Sequence, residues 1–170
     1  MKMRLIGLLV VLLLVFFPTG TVGASTTANV TVNATPAFIS ISVNNATYSF
    51  GVVSTSTNYS TVQGYFVITN GSTVQTDNTI GVLNATWIGG VAWTHSDTGT
   101  PGADTIAMYS TNDTTAWNII VKQYKNSPNY IYENLPASTN FKFGLRIMTP
   151  TSFTDGIIKV NEVTVMSAAG

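Results

Sequence analysis

Residues 25–43, STTANVTVNATPAFISISV, constrain the fold more than any other stretch of this chain. Ala28, Val30, Val32 and Ala34 fall on one parity; Asn29, Thr31, Asn33 and Thr35 fall on the other. That period of two belongs to a strand with one buried and one solvated face. Pro36 interrupts the run, and because proline has no N–H for a sheet ladder the stretch reads as two strands joined at a corner. The second run sets Ile39, Ile41 and Val43 opposite Phe38, Ser40 and Ser42. A short strand with a proline break behind it can fold back onto its own domain or leave to complete the sheet of a neighbour. The second fate is expected here, with residues 25–35 as a donor strand.

The preceding residues read as a targeting segment. Lys2 and Arg4 precede an apolar run, Leu5 to Phe17, whose 13 residues fall short of the roughly 20 a membrane span needs. Pro18-Thr19-Gly20 breaks the run, and Val22-Gly23-Ala24 offers small residues for cleavage. A type IV prepilin-like leader, processed at Gly7 with its helix retained, is the alternative; Pro18 would cut that helix short. The expected organisation is a secretory signal peptide over 1–24, the donor strand over 25–35 and one β-sandwich domain over 36–170, extracellular and free of the membrane once cleaved.

Between Arg4 and Lys122 there is no Lys or Arg, which argues against nucleic acid, whose phosphates demand a basic footprint. Beyond residue 24 five basic residues stand against seven acidic ones, a formal charge of −2. Abundant Val, Ile, Phe and Tyr can nevertheless bury a core, so low charge here means a folded chain rather than disorder. There is no cysteine, which removes thiol chemistry and cysteine-ligated metals and mildly favours a prokaryotic source.

Asparagine placement is uneven. Asn-X-Ser/Thr occurs at Asn29, Asn33, Asn45, Asn58, Asn70, Asn84 and Asn112, seven of the first nine asparagines, and at none of the six after Asn112. Such an excess points to N-linked glycans on the surface, and so to the cell surface of an archaeon.

Downstream, the pattern is strands and turns. Strands are expected over 46–50, 65–69, 79–88, 105–109, 117–124 and 140–148, the last with Phe141, Phe143, Leu145 and Ile147 inward and Lys142 and Arg146 outward. In the last strand Ile158 and Val160 change parity to Val163 and Val165, which a β-bulge near Asn161-Glu162 would reconcile. No stretch shows a helical stripe. The fold class expected is all-β, a single antiparallel jelly-roll-like β-sandwich with an N-terminal donor strand.

Chemistry is sparse. His95 is the only histidine, too few for a multi-histidine zinc site, and in a Gly/Thr-rich loop it reads as solvated. Asp97 and Asp104 bracket the loop SDTGTPGAD and could offer oxygens to calcium, but the spacing matches no calcium loop, so turn-forming Asp is the expected reading and no metal is expected. Glu133 and Glu162 have no evident pairing. Trp87, Trp93 and Trp117 read as core rather than sugar platforms. No catalytic residue and no cofactor is expected, and the chain does not read as an enzyme.

With the leader, the alternating strand and the clustered sequons, the motifs Tyr48-Ser49-Phe50-Gly51, Phe66-Val67-Ile68-Thr69-Asn70-Gly71 and Val163-Thr164-Val165 give a chain that resembles archaeal bundling-pilus and thread-type filament subunits, and more distantly bacterial biofilm-matrix fibre proteins. The resemblance implies a secreted pilin that polymerises by donor-strand complementation, with identical subunits in a helical homopolymer serving adhesion, bundling or biofilm. Ala28, Val30, Val32 and Ala34 would be the inserting face. A surface-layer-associated or adhesin domain and a carbohydrate-binding module are the alternatives.

Overall fold

The computed structural model describes residues 33, 36–45, 47–112 and 116–170. The expected leader, the donor face Ala28, Val30, Val32 and Ala34, and the sequon asparagine Asn29 lie outside the described residues. The strands are β1 (Ile41–Val43), β2 (Asn58–Ser60), β3 (Phe66–Asn70), β4 (Thr76–Val82), β5 (Thr86–Trp87), β6 (Trp93–Ser96), β7 (Thr105–Ser110), β8 (Ile119–Ile120), β9 (Lys122–Gln123), β10 (Asn129–Leu135), β11 (Asn140–Phe143), β12 (Leu145–Met148) and β13 (Val163–Ala169). Among the described residues there is no α-helix, only a 3-10 turn over Tyr124–Asn126. The protein is all-β, as the period-two patterning requires.

Three sheets form the sandwich. The first runs β1-β3-β11; the second runs β10-β4-β13 with β9 alongside β4; the third runs β2-β12-β7-β6-β5 with β8 on β7. Pairing is antiparallel except for β4 with β9 and β6 with β7. Phe66, Ile68, Phe141 and Phe143 of the first sheet, Ile80, Val82, Ile131 and Leu135 of the second, and Ile106, Met108, Leu145 and Ile147 of the third join one buried cluster. Full burial of each such side chain contributes about 1.5–3 kcal/mol. Tyr132 stacks on Phe141 at 4.9 Å and so ties the second sheet to the first.

The run 140–148 keeps its predicted parity, with all four inward residues buried, but it is two strands rather than one. β11 pairs with β3, and β12 pairs with β2 and β7. The switch falls at Gly144, where an added Cβ would sit 3.0 Å from both Thr61 Oγ1 and the Trp117 ring. A side chain there would press on these neighbours, which would have to give way by a few tenths of an ångström.

Residues 117–124 likewise divide, β8 joining the third sheet and β9 the second, with Val121 fully buried at the crossing. The run 79–88 breaks between β4 and β5. Residues 47–50 form no strand; Tyr48 instead packs edge-on against Phe50 and Tyr65, each at 4.9 Å. The expected bulge near Asn161-Glu162 is not formed: residues 156–162 are no strand, and Val160 makes only an isolated bridge with Ile88. The change of parity falls in the loop before β13, where Asn161 Oδ1 accepts from the Glu162 N–H at 2.8 Å and its amide donates to the Asn84 carbonyl at 3.1 Å.

Candidate functional site

β13 has the sequence VTVMSAA and pairs with β4 along its whole length without a register shift, from Val163 opposite Val82 to Ala169 opposite Thr76. Bonds from Leu83 N to Glu162 O (3.1 Å) and from Gly170 N to Gln75 O (3.2 Å) bracket this ladder. In an antiparallel pair, hydrogen-bonded and non-bonded positions alternate. Thr164, Met166 and Ala168 therefore bond to β4, and the N–H and C=O groups of Val163, Val165, Ser167 and Ala169 point to the opposite edge. No described strand pairs there.

The side chains of those four residues share the core-facing side with Val82, Ile80, Asn78 and Thr76. Val163 and Val165 pack against the core yet remain partly exposed, and the Ser167 hydroxyl donates to Asn78 Oδ1. On the outer side the Tyr124 ring lies over Gly81, where a Cβ would approach it to 3.1 Å. The Tyr124 hydroxyl reaches the carbonyls of Thr79 and Thr164 at 3.1 and 3.0 Å, and burial raises its pKa.

Sheets normally guard their open edges with short strands, charges, proline or bulges. Here β1 and β2 have three residues each, β5 has two, β11 has four and carries Lys142, and β10 shifts register twice along β4. β13 is seven residues long, regular, uncharged and free of proline. It is the one unguarded edge among the described residues.

The sequon asparagines do not share one environment. Asn33, Asn58 and Asn84 are exposed, and Asn45 and Asn112 are partly buried. Asn70 is fully buried; its amide nitrogen faces the carbonyls of Leu135, Pro136 and Val74 at 3.0, 3.1 and 3.2 Å, and its Oδ1 accepts from Ser72 N at 2.9 Å. A sugar on that nitrogen and this packing exclude each other. Asn70 is a structural residue that pins the β3 turn to the end of β10, and the Asn-Gly turn signal was its sequence mark.

His95 is a second correction. It lies on β6 rather than in a solvated loop and is 3 % exposed. Its Nε2–H donates to the Val121 carbonyl at 2.7 Å while Nδ1 faces the Trp87 indole N–H at 3.5 Å. Burial lowers its pKa, against smaller opposing effects of the Val121 bond and Asp97. Parity with Trp93 on the same strand was the signal that would have placed it inside.

Asp97 and Asp104 hold loops rather than each other. Asp97 accepts from the Gln123 backbone N–H at 2.7 Å, its side-chain amide at 3.2 Å and Asn126; Asp104 accepts from Thr154 through both N–H and hydroxyl. Among the described residues no group of three or more His, Cys, Asp or Glu gathers as a metal site. Glu133 and Glu162 are exposed and lie toward opposite ends of β4. Trp87 and Trp93 are buried in the core, while Trp117 is partly exposed under the Arg146 guanidinium, 4.6 Å from its ring. No family model, curated protein or solved structure matches the chain.

Proposed function

We propose that this chain is the structural subunit of an extracellular filament, in which residues 25–35 of each copy complete the sheet of the next at the outer edge of β13. The unguarded β13 edge carries the reading. Four outward-facing residues offer N–H and C=O groups to an incoming strand, and the 25–35 alternation supplies four apolar side chains at matching spacing. Paired to β13, Ala28, Val30, Val32 and Ala34 extend the core-facing side, where Val163 and Val165 are still partly uncovered. Asn29, Thr31, Asn33 and Thr35 then face solvent, leaving room for glycans on the two asparagines.

The ladder gives affinity whatever the side chains, and the valines give register. Burying Val30 and Val32 contributes about 1.5–3 kcal/mol each. A slip by one residue would bury Asn29, Thr31 and Asn33 instead. The exposed sequons Asn58 and Asn84 fit a glycosylated cell-surface polymer serving adhesion, bundling or biofilm.

The test is electron microscopy of the purified secreted protein beside a variant lacking residues 25–35 and a Val30→Asp/Val32→Asp variant. Wild type forms fibres, and both variants stay soluble and folded without them. Excess peptide 25–35 raises the melting temperature of the deletion variant. Fibres from the deletion variant would refute the donor role.

A further inference from the structure

The loop leading into β13 is turned inside out. Ile157, Ile158 and Val160 are 58, 82 and 60 % exposed, yet the Lys159 ammonium between them is drawn inward, bonded to Asp155 and the Gly89 carbonyl and 5.8 Å from the Trp93 ring. Gly89, at φ 133°, permits this: a Cβ there would lie 2.0 Å from the Ile158 carbonyl oxygen. Ile88, bridged to Val160 and 66 % exposed, widens the aliphatic patch. A second apolar pair, Phe38 and Ile39, is 59 and 42 % exposed and directly follows the proposed donor segment.

We infer that the donor runs antiparallel to β13 of the next copy, and that the Ile88–Ile158–Val160 patch of that copy receives Phe38 and Ile39 of the donating copy. The inference rests on the filament reading. With apolar donor positions set against outward-facing ladder positions, antiparallel pairing places Ala34 by Val163, Val32 by Val165, Val30 by Ser167 and Ala28 by Ala169. Continuing past Val163 at the same register, the donating chain sets Ala37 by Val160, Phe38 by Lys159 and Ile39 by Ile158, so that Phe38 and Ile39 reach the patch. A parallel donor would carry them past Ala169, away from the patch.

Within one copy this contact is out of reach. Phe38 exchanges bonds with Thr73 at the other end of β13, two residues before Gln75, whose carbonyl binds Gly170 N. A segment returning to its own β13 would enter at the Ala169 end and run parallel. The seven residues of β13 separate that end from the patch by roughly 20 Å. A stable standalone interface needs about 800 Å² per partner, more than a few aliphatic side chains supply, so the patch acts as an extension of the strand contact.

The cysteine-free chain makes disulfide trapping clean. Full-length Ala34→Cys/Val163→Cys and Ile39→Cys/Ile158→Cys variants, oxidised in the assembled state, are expected to give ladders of covalent multimers, and Ala34→Cys/Ala169→Cys none. Linking only in the last variant overturns the antiparallel direction. Linking at 34/163 but not 39/158 overturns the patch. Fibres in which no pair links overturn both while the filament reading stands; wild type without fibres removes that reading itself. As a cysteine-independent check, Ile157→Ser/Ile158→Ser is expected to raise the critical concentration for assembly at least about tenfold with an unchanged melting temperature. A clear fall in melting temperature would instead assign the patch to packing within one copy.

Discussion

Replacing Asn70 by Ala separates the sequon reading from the structural one. In the fold, Asn70 Oδ1 satisfies the buried Ser72 N–H and its amide satisfies the Leu135 carbonyl; the Pro136 carbonyl keeps Thr139 as a second donor. Truncation therefore orphans the Ser72 N–H and the Leu135 carbonyl, whereas the Val74 carbonyl belongs to a partly exposed residue. At about 1–3 kcal/mol each, the two cost roughly 2–6 kcal/mol. For a domain of this size, at about 3–4 °C per kcal/mol, that lowers the melting temperature by about 6–24 °C. Asn70→Asp should cost more, because it turns a carboxylate toward carbonyl oxygens in a buried site. Asn58→Ala and Asn84→Ala, at exposed positions, should stay within about 0.5 kcal/mol. The assay is thermal unfolding by circular dichroism on all four variants, with peptide mass spectrometry of the native protein. A melting temperature for Asn70→Ala equal to that of Asn84→Ala, or a glycan on Asn70 in folded protein, would refute the argument.

Three further outcomes are expected. Because the folded-state pKa of His95 is lowered, the unfolded chain binds its proton first; the stability this residue contributes is full above about pH 6.5 and declines as pH falls below it. A His95→Gln variant should show a flatter melting-temperature profile through that window. Asp155, whose pKa is lowered to about 2 chiefly by its bond to Lys159, contributes stability above its ordinary range that is lost as pH falls toward 2; Asp155→Asn should abolish that acid limb in a pH titration of unfolding. Gly144→Val should cost about 1–3 kcal/mol by overpacking against Thr61 and Trp117, measured by urea unfolding, and an unchanged midpoint would mean the corner has slack.

The amino-acid sequence by itself determined that this protein is built of strands and which side of many of them is buried. Alternation is local: Phe141, Phe143, Leu145 and Ile147 share a parity, and all four lie in the core. Alternation does not say which strand lies alongside, because ladder partners come from far along the chain. Hence one alternating run became β11 and β12 in different sheets, and the crowding around Gly144 comes from Thr61 and Trp117. A sequon is a tripeptide rule blind to burial, so Asn70 looked like Asn84 until the carbonyls around it were in place. His95 looked solvated from its glycine- and threonine-rich neighbours, and β6 put it under Val121. The open edge of β13 is a property of the sheet order alone, since an edge is defined by the strand that is absent. Ile157, Ile158 and Val160 invert the usual rule that apolar residues turn inward. Lys159 takes the interior position because Asp155 and the Gly89 carbonyl are there to bind its ammonium, and only the assembled tertiary structure brings those groups together.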